Sequence, residues 1–215
     1  MNKAVIFDLD GTLIDTIRDI TDAMNKMLSN HGFNLVSVED MQRFLGGSSR
    51  EITRLAIGKK IPESLLDVCL EEYTVNYVGG KSPKTCVFKG MDKVVEELKN
   101  RGYKIIAVSN KPDFEIAAIF ERVLKPLGLD AVIGLSESVP PKPDPTGTLN
   151  ALKEFGVETC NAYFAGDGET DVMTALNANV NCIAVLWGNR DKEFLSKYGA
   201  TVFARNPEEL LTLIK

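Results

Sequence analysis

Apolar positions along the chain fall into two kinds of pattern. Short continuous runs predict strands buried on both faces: Ala4-Val5-Ile6-Phe7, Ile105-Ile106-Ala107-Val108, Ala131-Val132-Ile133, Ala162-Tyr163-Phe164-Ala165 and Cys182-Ile183-Ala184-Val185-Leu186. Thr201-Val202-Phe203 is a shorter candidate of the same kind. Between these runs the pattern turns helical, over Met91 to Lys99, Glu115 to Leu124, Pro145 to Phe155, Asp171 to Ala178 and Pro207 to Ile214. Gly102 and Gly156 are placed to stop two of those helices. The alternation predicts a doubly wound α/β fold around a parallel sheet.

One stretch departs from it. Between Asp15 and Pro83 no strand-like run occurs, while Ile17, Ile20, Met24, Met27 and Leu28, and later Leu65, Val68 and Tyr73, suit helices. His31-Gly32, Gly46-Gly47 and Lys60-Ile61-Pro62 divide the stretch into about four helices. The expected organisation is a discontinuous α/β core, 1–15 and 84–215, interrupted after the first strand by a small all-helical domain, 16–83. Hinges are expected near Asp15-Thr16 and Lys81-Ser82-Pro83.

Composition then narrows the chemistry. A length of 215 residues can bury a core without disulfide or metal staples. Acidic residues exceed basic ones, 30 to 25, so the net charge of −5 offers no footprint for nucleic acid or an anionic membrane. His31 is the single histidine, which excludes a His-rich metal site and leaves carboxylates as the acid and base groups. Cys69, Cys86, Cys160 and Cys182 form no C-x-x-C pair and suit small buried apolar positions. The opening MNKAVIFDLDG lacks the apolar region of a signal peptide, so a cytoplasmic location is expected.

The most informative segment is Phe7-Asp8-Leu9-Asp10-Gly11-Thr12, in which two carboxylates leave the end of a buried strand on the same side. Ligands of open α/β sheets bind at such strand ends. Like charges there call for a cation or a shared proton, and Gly11 permits a tight turn whose N–H groups can face an anion. An EF-hand fails, because Gly11 falls at position 4 where position 6 is needed and Asp19 stands at position 12 in place of Glu. A phosphoryl-transfer site fits better. Ser109 and Asn110 at the next strand end could hold phosphoryl oxygens or be an ordinary turn. Lys142, within Pro140-Pro141-Lys142-Pro143-Asp144-Pro145, sits in a stiff loop that is either functional or a surface linker. Asp167 ends another strand, and Asp171 one turn later is either a helix cap or part of an oxygen-rich Mg²⁺ site.

Taken in order, Asp8-x-Asp10-Gly11-Thr12, Ser109, Lys142 and Gly166-Asp167-x-x-x-Asp171 resemble the haloacid-dehalogenase-like hydrolase superfamily. The inserted helices look like its C1 cap. The resemblance implies that Asp8 attacks phosphorus and that Asp10 serves as acid and then base. It further implies Mg²⁺ on Asp8, the Asp10 carbonyl and Asp167, with Asp171 behind them, and charge neutralisation by Ser109 and Lys142. Gly11, Thr12 and Asn110 would bind the phosphoryl group. The acid at position 10 argues against dehalogenation, and Ser109-Asn110-Lys111-Pro112 with Trp187-Gly188 look most like the phosphoglycolate phosphatase group. Lys89 and Asn179 depart from that group's usual residues.

In Gly46-Gly47-Ser48-Ser49-Arg50 the glycines suit a loop near the site, and Arg50 either pairs a substrate anion or joins a salt bridge among the helices. The expected partner is a small phosphorylated metabolite, with no nucleic acid and no membrane, acted on by a monomer or homodimer. The alternatives are a beta-phosphoglucomutase-like sugar phosphomutase and a phospho-Asp signalling module.

Overall fold

The computed structural model describes residues 2–215. Six parallel strands form the sheet: β1 (Lys3–Phe7), β4 (Tyr103–Pro112), β5 (Ala131–Leu135), β6 (Ala162–Gly166), β7 (Asn181–Val185) and β8 (Phe203–Ala204), in the order β5-β4-β1-β6-β7-β8. The continuous apolar runs have the cause the sequence suggested. Val5 and Phe7 of β1 point into one buried cluster with Ile105, Ala107, Ile183 and Val185, while Ala4 and Ile6 point into the opposite one with Ile106, Val108 and Phe164. Helices α5 (Met91–Asn100), α6 (Asp113–Ile119) and α10 (Pro207–Leu213) cover the first face; α7 (Thr146–Glu154) and α8 (Glu169–Asn177) cover the second.

The inserted stretch is helical throughout: α1 (Ile17–Asn30), α2 (Val38–Phe44), α3 (Ser49–Ile57) and α4 (Glu63–Gly79). It has its own core, in which Ile20, Met24, Met27 and Leu28 of α1 meet Met41, Ile52, Leu66, Tyr73 and Tyr77. Ser37 and Ser48 start α2 and α3 with reciprocal caps to Asp40 and Glu51. The two crossings into and out of this stretch pair as an antiparallel ribbon, β2 (Ile14–Asp15) with β3 (Cys86–Val87). Asp19 Oδ2 accepts from the Lys84 and Thr85 amides at 2.9 and 2.6 Å, so the returning chain is tied to α1. Lys81 and Ser82 at that return have φ of 58° and 44°, left-handed backbone where the hinge was expected.

Several expectations need correction. The helix over Glu115 to Leu124 is instead α6 followed by a wider π-type turn over Phe120–Leu124. The ribbon and α9 (Lys192–Lys197) had no apolar periodicity to announce them. The cysteines are not uniformly buried: Cys69 is, Cys182 is half-buried, and Cys86 and Cys160 are exposed. Burial pushes the Cys182 thiol up to about 12, so it is no ready nucleophile. Asn179 adopts φ 55°, as an Asn in place of Gly can. Among the described residues no helix is long and apolar enough to cross a membrane.

Candidate active site

Sheet register assembles the site. Phe7 of β1 pairs with Ala107 of β4 on one side and Ala165 of β6 on the other. Asp8 and Asp167, just beyond, therefore leave the carboxyl ends of β1 and β6, and Ser109 lies beside them near the end of β4, which runs on to Pro112. The loop after β5 brings Lys142 across them. Its Nζ donates to Asp8 Oδ1 and to Asp171 Oδ1, both at 2.6 Å, and all three side chains are buried.

Each member is braced. Asn110 Oδ1 accepts from the Lys142 amide at 2.7 Å, and its Nδ2 donates to the Lys142 carbonyl at 3.2 Å, fixing the lysine's backbone. Asp171 Oδ2 accepts from the Gly168 amide at 2.9 Å, so this one side chain both starts α8 and faces Lys142. Asp167 accepts from Thr12 Oγ1 at 3.0 Å and from the Asn189 amide and Nδ2 at 2.7 and 2.8 Å. Gly11, at φ 95°, leaves no room for a Cβ, which would collide with Asp167 and Asn189.

Burial and mutual repulsion shape the electrostatics. Desolvation and the Asp171 charge hold the Asp8 carboxyl well above the usual carboxylate range, against the pull of Lys142. The same two causes raise Asp167 to about 6. Burial pulls Lys142 down, but Asp171 and Asp8 outweigh it and keep the ammonium charged. One carboxylate oxygen from each of Asp8, Asp167 and Asp171 lies within 4.8 Å of the others. The Asp10 side chain stands outside that trio, with Oδ2 3.3 Å from Lys111 Nζ and Oδ1 enclosed without a partner among the described residues.

Three expected site residues are placed elsewhere. The Gly11 amide donates to the Ile14 carbonyl at 2.9 Å inside its own turn, and Gly11 does not line the crevice. Arg50 does not enter the crevice: the reciprocal cap at Ser48 sets the phase of α3 so that Arg50 pairs with Asp67 at 2.5 Å and Glu63 at 2.7 Å on the outer surface. Replacing Arg50 by Ala is expected to leave kcat and KM within about twofold, the behaviour of a surface position, measurable in a steady-state assay. Thr12 is fully buried against Asp167, so it orients that carboxylate and does not face a ligand.

Four residues were not singled out from the sequence. Asn189 holds Asp167, and Lys111 with Glu115 lines the crevice beside Asp10. Arg190 donates to the carbonyls of Gln42 at 2.5 Å, Leu45 at 2.7 Å and Arg43 at 3.2 Å, with Glu169 at 3.1 Å on its other side. The turn between α2 and α3 is thereby fastened over the strand ends, where Asn110 and Thr170 also donate to the Gly46 carbonyl. Trp187 Nε1 donates to the Thr12 carbonyl, and its ring packs on the core. The crevice retains ≈ 40 Å³ of free space, room for a few waters at roughly 10–15 Å³ each.

A family model described as haloacid dehalogenase-like hydrolase matches residues 5–185, from β1 to the end of β7. The chain belongs to that family. Among the hydrolase's curated relatives, phosphoglycolate phosphatase 1 of Pseudomonas aeruginosa is 28% identical over 218 residues, covering 97% of this chain and 78% of its own length. The phosphoglycolate phosphatase of Aquifex aeolicus is 29% identical over 190 residues, covering 86% and 85%. Among solved structures, a Lactobacillus delbrueckii subsp. bulgaricus protein provisionally named phosphoglycolate phosphatase superposes with a TM-score of 0.90. It is 32% identical and covers 100% of this chain and 99% of its own. The hydrolase is an enzyme of phosphatase type, phosphoglycolate phosphatase-like in sequence and fold.

Proposed function

We propose that the hydrolase is a Mg²⁺-dependent phosphomonoesterase acting on a small phosphorylated metabolite of the phosphoglycolate type through a phospho-Asp8 intermediate. The observation that carries this reading is the gathering of Asp8, Asp167 and Asp171 around Lys142 at the strand ends. The donor set fits a hard divalent cation: every candidate ligand is an oxygen, and a cation would offset the repulsion that raises Asp8 and Asp167. Asp8, Asp167 and the Asp10 carbonyl would hold Mg²⁺, with Asp171 orienting Lys142 beside them. When bound, the ion supplies positive charge against the phosphoryl oxygens and keeps Asp8 ionised.

The chain's own groups account for the rest. Asp8 attacks phosphorus in line with the leaving oxygen, and the P–O bond to that oxygen breaks as Asp10 gives it a proton. Asp10 then takes a proton from water as the water oxygen attacks the acyl phosphate and frees Asp8. Ser109 and Lys142 line the crevice where the transferring group would sit and stabilise charge spread over its oxygens. The helical unit, residues 16–83, acts as a cap: the fastened α2–α3 turn closes the crevice and limits the space left for a leaving group.

A phosphomonoester panel with and without Mg²⁺ tests the function, with phosphoglycolate, sugar phosphates, nucleotides and pyrophosphate as members. Phosphate release that requires Mg²⁺ and favours small alkyl phosphates is expected, whereas isomer formation without release would favour a mutase. Asp167→Ala is expected to raise the Mg²⁺ concentration for half-maximal rate by more than about 10-fold. An unchanged metal titration would remove Asp167 from the site.

A further inference from the structure

Lys111 is a buried ammonium that the mechanism above does not use. It sits on β4 two residues beyond Ser109, with its Nζ 3.3 Å from Asp10 Oδ2 and 3.4 Å from Glu115 Oε2. Lys111 and Glu115 are both almost completely buried, and the Tyr77 ring lies 4.5 Å from Nζ on a third side. On the far side, Glu115 Oε1 accepts from Ser49 Oγ of α3 at 3.0 Å. A continuous chain of contacts therefore runs from the helical unit to Asp10. Two buried charges, Lys111 and Glu115, beside the half-buried Asp10 are costly unless they hold a geometry that matters.

The two oxygens of Asp10 are not equivalent. Lys111 engages Oδ2, whereas Oδ1 is enclosed by protein with no hydrogen-bond partner among the described residues; Asp10 as a residue lines the crevice. An unsatisfied oxygen on a residue that lines a ligand crevice needs a partner, and a substrate atom supplies one once the carboxyl is turned toward the crevice.

We propose that Lys111, held by Glu115, is the positioning residue for Asp10. It turns the carboxyl so that Oδ1 meets the leaving-group oxygen and stabilises the carboxylate left after proton transfer. This rests on the phosphatase reading given above. In the step concerned, the proton on Asp10 Oδ1 passes to the leaving oxygen as the P–O bond breaks, and the negative charge gained by Asp10 develops against an ammonium already in place. Ser49 completes the arrangement when the helical unit is seated.

Leaving-group dependence separates this role from a purely structural one. An alkyl alcohol needs the proton to depart, whereas p-nitrophenolate leaves as the anion. The informative constant is kcat/KM, which includes leaving-group departure but excludes hydrolysis of the acyl phosphate, a step common to all substrates. Lys111→Met is expected to lower kcat/KM for an alkyl phosphomonoester by about 10²-fold, part of the range general acids contribute, and for p-nitrophenyl phosphate by less than about 10-fold. Glu115→Gln should show the same selectivity with a smaller loss, and Lys111→Arg should restore part of the alkyl rate. Glu115→Gln is nearly isosteric and decides the matter if Lys111→Met fails to fold. Equal proportional losses on both substrates, or no loss on either, would overturn the positioning role. Wild-type protein inactive on both substrates would instead contradict the phosphatase reading itself.

Discussion

Asp8→Asn is expected to lower phosphate release by about 10⁴-fold or more, the scale on which removing a covalent nucleophile reduces an enzyme's rate. The amide has the carboxylate's shape, so the replacement side chain still fits between Ser109 and Asp167, but it cannot form the acyl phosphate. The loss of activity should be accompanied by no loss of fold. In the metal-free wild type, burial and Asp171 raise the Asp8 carboxyl, and Asp167 rises to about 6 from an ordinary 3.8. An acid raised in the folded state adds stability that is complete below its unfolded pKa and fades as pH rises through its folded value. The metal-free wild type should therefore lose stability through that range, and the variant, with one raised acid fewer, should lose less. Thermal unfolding at several pH values with a chelator present measures the difference.

Lys142→Ala combines a large kinetic effect with a large structural one. Its ammonium lies 2.6 Å from both Asp8 and Asp171, and nothing else among the described cations donates to either side chain. Truncation leaves buried acids facing one another, and breaking one partner from a buried pair costs about 3–5 kcal/mol. Denaturant unfolding without metal should show a loss of that size. Added Mg²⁺ should recover part of it, since the ion would neutralise the same oxygens. Turnover should fall by about 10²-fold or more even at saturating Mg²⁺, because one donor aimed at the developing phosphoryl charge is gone. A variant that lost stability but kept full activity would show that Lys142 serves only as a structural partner of the acids, and one as stable and as active as the wild type would contradict both roles.

The parts legible in the sequence were those written in local pattern. Ala4-Val5-Ile6-Phe7 could be read as a doubly covered strand because neighbouring residues point into opposite cores, and both cores need apolar side chains. Asp8, Ser109 and Asp167 could be singled out because strand ends are where such a sheet presents its ligands, and Lys142 because prolines stiffen its loop; the structure brings the four together. What escaped depended on partners distant along the chain. The ribbon of Ile14-Asp15 with Cys86-Val87 is too short to carry a period and exists because two chain crossings lie side by side. Arg190 grips carbonyls of residues 42, 43 and 45, and backbone carbonyls leave no trace in a sequence. The sequence leaves Arg50 open between a substrate anion and a salt bridge among the helices, and the salt bridge is what forms. The glycine-rich loop suits substrate, yet the Ser48 cap and the acids of α4 decide the direction of Arg50. Asp171 was read as either a cap or a site residue; it is both a cap and a partner of Lys142.

The central claim is that Asp8 carries the phosphoryl group during turnover. Rapid acid quench of the Mg²⁺-loaded enzyme mixed with phosphoglycolate, followed by mass spectrometry of its peptides, tests it directly. A transient phosphoryl adduct on the peptide containing Asp8, formed and lost at rates matching turnover and absent in Asp8→Asn, is the expected result. Sustained phosphate release with that peptide unmodified throughout would contradict it.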